Sequence, residues 1–361
     1  MHTHRGGLVL LAGWFAAAPL AARGAESAAA VAARGVAYLT SVQGAEGSFS
    51  PEAGPGVTAL AAAALLAHGQ TPADPAVARA LQYVESHIRP DGGIYAADSM
   101  YKNYETSIAV LALARANADG RYNATIDRAV AFLKGEQWDE SEDLSPDDPA
   151  YGGAGYGRHS RPDLSNTSFL IDALRAAGTS PEDPAMQRAL AFVSRCQNLP
   201  SEHNQTEFPA KNPDGGFYYT IAAGGSSQAG AEPDGGLRSY GSMTYAGLKS
   251  MIYAGVGPDD PRVRAAREWI GRHYRLDENP GMGDAGLYYY FHTFAKALDA
   301  TGEAAVTDAA GASHDWRADL TAALAAAQQA DGSWVNRNER WLEGDPQLVT
   351  AYALLALSYC Q

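Results

Sequence analysis

Five short clusters of Tyr, Asp, Glu, Asn, Arg and His each stand just ahead of a threonine that opens an apolar segment. They are Tyr101-Lys-Asn-Tyr104-Glu105, Asp163-Leu-Ser165-Asn166, Arg238-Ser-Tyr240-Gly-Ser242, Tyr288-Tyr-Tyr290-Phe-His292 and Asp345-Pro-Gln347. These residue types support proton transfer and polar ligand recognition. Tyr290 and His292 together with Asn166 could abstract a proton, and Glu105 or Asp345 could donate one. Tyr104, Ser165, Asn166, Arg238, Tyr240 and Asp345 are the candidate ligand-binding groups. Taken singly, each has a plainer reading as a cap or rim residue, because Asp163 or Ser165 at a helix start accepts the orphan backbone N–H groups. Convergence of the clusters on one mouth would make them a site.

The elements that must bring them together repeat. Six Ala- and Leu-rich segments each follow a threonine: Thr58, Thr106, Thr167, Thr244, Thr293 and Thr350. Several are apolar on nearly every face, so they predict helices buried on all sides. Thirteen residues after the threonine, three copies of one turn occur: Thr71-Pro-Ala-Asp-Pro75, Ser180-Pro-Glu-Asp-Pro184 and Gly257-Pro-Asp-Asp-Pro261. Asp followed by Pro starts a helix, so these acidic pairs read as caps and not as catalytic dyads. A second kind of helix follows, with polar residues alternating along one face, as in Ala80-Leu-Gln-Tyr83-Val84 and Ala189-Leu-Ala-Phe192-Val193. It returns through a Gly-rich loop bearing an aromatic, such as Glu46-Gly-Ser-Phe49, Asp91-Gly-Gly-Ile-Tyr95 or Asp331-Gly-Ser-Trp334.

The threonines are separated by 48, 61, 77, 49 and 57 residues. An open solenoid keeps its period closely, whereas variable loops on a constant hairpin suit a closed double ring. The expected fold is therefore all-α, an (α/α)6 toroid of six helical hairpins around a central cavity, spanning residues 25–361 as one domain. The two largest insertions, Trp138–Asp163 and Asn198–Tyr240, precede the third and fourth inner helices, on the rim where function is expected.

Residues 1–24 predict a secretory signal peptide. A short Arg/His-bearing start precedes the 15-residue apolar run Leu8–Ala22 and a small-residue cleavage region. Export to the periplasm or the extracellular space follows. The chain carries a net charge of −14, and loss of the two leader arginines takes it to about −16. Such a surface disfavours nucleic acid. No later segment is apolar for long enough to span a membrane. The nine histidines form no His-x-x-x-His pair, and no metal or cofactor is implied. Cys196 and Cys360 read as two apolar thiols, with a disulfide left open.

Gln328-Gln-Ala-Asp-Gly332-Ser-Trp334 fits the Gln-x-x-x-Gly-x-Trp repeat of squalene cyclases, and Gln43-Gly-Ala-Glu-Gly47-Ser-Phe49 is a Phe-ended copy. On these repeats the chain resembles the terpenoid cyclase and protein prenyltransferase superfamily of α/α toroids. The resemblance implies a cavity for a hydrophobic, isoprenoid ligand. It also implies an acid motif, Asp-x-Asp-Asp-Thr, at the start of an inner helix, with the middle Asp as proton donor. The equivalent segment here is Asp163-Leu164-Ser165-Asn166-Thr167, where Ser165 replaces the donor. A hydroxyl does not protonate an alkene. The prenyltransferase zinc set of Asp, Cys and His is also missing. The sequence thus favours a binding or scaffold protein. The alternatives are an enzyme on an isoprenoid or lipid, with Glu105, Asp345 or Asp163 as acid, and an α/α-toroid polysaccharide lyase on glycan through Tyr290, His292 and Asn166.

Overall fold

A computed structural model describes residues 26–202 and 204–361; the leader assigned to residues 1–24 lies outside the described residues. Thirteen α-helices occur among them: α1 (Ala28–Val42), α2 (Pro55–Ala67), α3 (Pro75–Glu85), α4 (Lys102–Arg115), α5 (Asn123–Gly135), α6 (Leu164–Ala176) and α7 (Pro184–Arg195), then the single turn α8 (Phe208–Lys211), α9 (Gly241–Tyr253), α10 (Pro261–Arg272), α11 (Leu287–Thr301), α12 (Trp316–Ala327) and α13 (Pro346–Leu357). A small antiparallel ribbon, β1 (Val306–Thr307) with β2 (Ser313–His314), precedes α12.

The threonine-led segments form the inner ring in the order α2, α4, α6, α9, α11, α13, each packed on the next, and α13 closes back on α2. The other six long helices pack outside them. The reason is the residue pattern. Helix α2 buries every residue from Pro55 to Leu65, which its alanines permit by letting neighbouring backbones approach. Helix α3 buries only Ala76, Val77, Ala80, Leu81 and Val84, a single stripe, and turns its other residues outward. This is the all-α toroid, with inner helices that run parallel and present their N-terminal ends on one side.

The recurring residues of the sequence are its joints. The hydroxyls of Thr58, Thr106, Thr167, Thr244 and Thr350 accept the backbone N–H of Phe49, Ile94, Ala154, Phe217 and Trp334, at 2.9–3.1 Å. Each inner helix thereby docks its own Gly/aromatic loop. Thr293 departs from the pattern: its hydroxyl donates to the Tyr289 and Tyr290 carbonyls of its own helix. Glutamines tie each loop to the next outer helix. The Gln43, Gln137 and Gln197 amides donate to the carbonyls of Ala76, Ala185 and Arg262. Gln328 donates to Val31 at 3.1 Å, which joins the last unit to the first. At Gly332, φ is +90° and an added Cβ would lie 2.5 Å from the Arg34 carbonyl oxygen, so no side chain fits.

Asp183 and Asp260 cap α7 and α10 by accepting the Ala185 and Arg262 N–H groups. Asp74 is a correction to the expected trio. Its carboxylate turns back to the Thr71 amide and hydroxyl, and α3 starts without a side-chain cap. Cys196 is buried, Cys360 is half-buried, and both are free thiols. No described helix is long and apolar enough to cross a membrane.

Candidate site in the lumen of the toroid

Four inner helices send aromatic side chains across the ring. Tyr104 of α4 and Tyr352 of α13 share a hydroxyl–hydroxyl hydrogen bond of 2.9 Å. Ser165 of α6 and Tyr289 of α11 share another of 3.0 Å. Phe169 lies between the two pairs, edge-on to Tyr104 with centroids 5.0 Å apart and stacked on Tyr289 at 6.0 Å. Tyr289 in turn meets Tyr352 edge-on at 6.0 Å. The circuit Tyr104–Phe169–Tyr289–Tyr352 thus spans the lumen where the sequence led us to expect an open cavity. Burial pushes the Tyr104 phenol up to about 12 and those of Tyr289 and Tyr352 higher still, so all three stay protonated.

The start of α6 supplies the only carboxylate beside this layer that the acid motif retains. Asp163 accepts the Asn166 amide N–H at 2.9 Å and the Asn166 side-chain N–H at 2.8 Å. Burial raises its pKa to about 6, opposed by the Asn166 bonds and by the hydroxyl of Tyr219 from the second long insertion. The carboxylate therefore works as a helix cap. Ser165, not Asp163, reaches across the lumen, through its hydroxyl contact with Tyr289.

One to two turns further along α6 and α11 sits a charged layer, which α9 joins. Asp172 of α6 pairs with Lys249 of α9 and Lys296 of α11, each at 2.7 Å, and Lys249 also donates to Ser168 Oγ at 2.7 Å. All three charges are almost wholly buried. Burial pulls Lys249 down to about 8 against the attraction of Asp172, and the two ammonium groups hold Asp172 below the usual carboxylate range despite its burial. Beyond them, Leu60, Ile108, Leu111, Arg115, His292 and Lys296 are among the walls of a cavity of about 30 Å³.

The sequence candidates separate accordingly. Tyr104 and Ser165 are in the aromatic layer. Asn166 and Asp163 form the cap beside it. His292 faces the inner cavity, its ring 5.7 Å from that of Tyr352. The remaining placements are corrections. Tyr290 is fully buried on the outward side of α11, packed on Tyr245 and Phe294, and its hydroxyl donates to the Arg275 carbonyl. A helix turns about 100° per residue, so Tyr289 and not Tyr290 reaches the lumen. Glu105 points to the preceding loop, accepting from Ser99 Oγ at 2.8 Å and the Ala96 N–H at 2.9 Å. Asp345 caps α13 through the Gln347 N–H. Arg238 is exposed and paired with Glu232. Tyr240 is buried at the start of α9, where its carbonyl accepts the Thr244 hydroxyl. Tyr290, His292 and Asn166 are thus not assembled into one lyase-like centre.

Sequence reasoning missed Phe169, Tyr289, Tyr352 and the triad Asp172–Lys249–Lys296. The triad did leave a signal: single charges inside helices that are otherwise apolar all round must meet a partner.

This closed double ring with a motif-bearing inner helix is the architecture of a terpenoid cyclase toroid. A family model for the squalene-hopene cyclase C-terminal domain matches residues 51–222. Drimenyl diphosphate synthase of Streptomyces showdoensis is 28% identical over 303 residues, covering 82% of this chain and 47% of that protein. The chain thus spans about half the length of that curated relative. The type II terpene cyclase MstE from Scytonema has the same fold, with a TM-score of 0.54 at 16% identity over 92% of this chain and 97% of that one. A variant of the Scytonema enzyme, solved in complex with its substrate geranylgeranyl dihydroxybenzoate, superposes with a TM-score of 0.53. Over residues 51–222 the chain is thus similar to the squalene-hopene cyclase C-terminal domain, and the fold of the whole is that of the terpenoid cyclases.

Proposed function

We propose that this protein is an exported, non-cyclising member of the superfamily that holds an apolar isoprenoid or lipid ligand against the aromatic layer of its lumen. The observation that carries this is the Ser165–Tyr289 pair. The place of the proton donor is held by a hydroxyl already engaged with a phenol, and Asp163 is committed to its cap. What remains at the mouth is aromatic surface with paired hydroxyls, which suits apolar recognition with a few polar anchors. Ligand entry between the rings would part the Tyr104–Tyr352 and Ser165–Tyr289 bonds.

The raised pKa of Asp163 favours a second reading, in which Asp163 itself protonates an isoprenoid. Titration calorimetry with farnesyl diphosphate and squalene, together with product analysis of the same mixtures, separates the two. The first reading expects saturable binding of an isoprenoid and no cyclised product. Cyclised product that disappears in Asp163→Asn would transfer the assignment to the second. Absence of binding with either probe would sink both. Export is tested by N-terminal sequencing of protein recovered outside the cytoplasm, which should begin near Ala25.

A further inference from the structure

The cavity beyond the charged layer carries charge and hydrogen-bonding capacity that the protein leaves unfilled. Three cations, Lys296, Lys249 and Arg115, and one carboxylate, Asp172, act on His292. The Lys296 ammonium has three N–H donors, and only the Asp172 bond is made. The Nδ1 atom of His292 is buried without a partner, on a side chain 5% exposed. Both residues line the same cavity. Its volume of about 30 Å³ holds about two waters, roughly the size of a carboxylate group. The surrounding wall is aliphatic, from Leu60, Ala63, Ile108, Leu111 and Leu355, with exposed Arg115 at its edge.

We propose that this cavity is a carboxylate-binding site, with Lys296 and His292 taking the two oxygens and the apolar tail leaving along the aliphatic rim beside Arg115. Asp172 balances only one of the two buried lysines, and the charge left over is unfavourable to bury unless an anion accompanies it, which a neutral molecule would not supply. The C-terminal ends of the inner helices lie on this side and favour cations there. They do not supply acceptors to the unfilled donors of Lys296, which stands a full turn short of the end of α11. The site lies beyond the aromatic layer that holds Ser165 and does not depend on the reading of that layer as a ligand platform.

The test is calorimetric titration of the full chain with octanoate, octanol and acetate at neutral pH. Octanoate should bind at least tenfold more tightly than octanol, and more tightly than acetate. Lys296→Met should weaken octanoate at least tenfold. Ala63→Leu, which fills the cavity and leaves every charge in place, should do the same, and it carries the test if the lysine variant fails to fold. Equal affinity for octanoate and octanol, or octanoate binding unchanged in a folded variant of either kind, would overturn the proposal. Acetate binding as tightly as octanoate would likewise overturn it.

Discussion

The Ser165 hydroxyl lies 3.0 Å from the Tyr289 hydroxyl, joining α6 to α11 across the lumen although α9 separates them in the ring. A contact of this kind constrains the diameter of the ring at its mouth.

Breaking this pair should have a small, measurable effect. Ser165→Ala and Tyr289→Phe are each expected to lower stability by about 0.5–1.5 kcal/mol, the net worth of one hydrogen bond. The double variant should cost less than the sum, because the same bond is lost in both singles. Urea denaturation of the four proteins gives the coupling; strict additivity would show that the two hydroxyls do not meet.

Asp163 makes stability pH-dependent in an identifiable direction. Its folded pKa, about 6, lies above the ordinary value of 3.8. Between those values the folded protein binds more protons than the unfolded chain, so the contribution of Asp163 to stability falls as pH rises from about 4 to 6 and then levels. At about 1.36 kcal/mol per pKa unit, the fall is at most about 3 kcal/mol. Asp163→Asn removes this slope. The check is the difference in unfolding free energy between the two proteins across pH 4–7; a difference that grows in favour of the wild type as pH rises would contradict it.

The hairpin count and the closed ring were legible because burial writes itself into composition: a helix such as α2, apolar on every side, has no soluble alternative to an inner position. The threonines were legible as markers but not as joints, since their acceptor role depends on where the preceding loop folds back. Rotational phase was the weak point. Helix α11 begins at Gly286, in the left-handed region and without a side-chain cap, so nothing local says which of three successive tyrosines faces the lumen. The same limit hid the Asp172 triad, whose members are 77 and 47 residues apart in sequence and meet only when the ring closes. Asp74 shows that an Asp-Pro pair marks a helix start reliably while leaving its hydrogen bond undetermined.

The joint threonines should differ among themselves. Thr350→Val leaves the buried Trp334 N–H without its acceptor and should cost about 1–3 kcal/mol. Thr293→Val removes a hydroxyl that only donates to carbonyls of its own helix, so a loss well under 1 kcal/mol is expected. Equal losses in thermal or chemical denaturation would mean that the loop-docking bond has no special weight.

Gln328 is the place where ring closure can be tested by itself. Its side-chain N–H groups donate to the Gly332 carbonyl within its own loop and to the Val31 carbonyl on α1, and its oxygen accepts from Arg34. Gln43 makes the same pair of donor bonds between neighbouring units at Gly47 and Ala76. Loss of either glutamine strands one loop carbonyl and removes a second bond to a helical one, and should cost about 1–3 kcal/mol. The location of the damage should differ. Helix α1 is the first described element and packs on α13 and α12 from the other end of the chain, so Gln328→Ala should release it locally and speed amide exchange along Ala28–Val42 before global unfolding. Gln43→Ala should leave α1 protected, since the seam it holds lies between α1's own loop and α3. Amide exchange that rises equally in both variants would show that the ring opens as one unit and that the seam between last and first repeats is no weaker than the others.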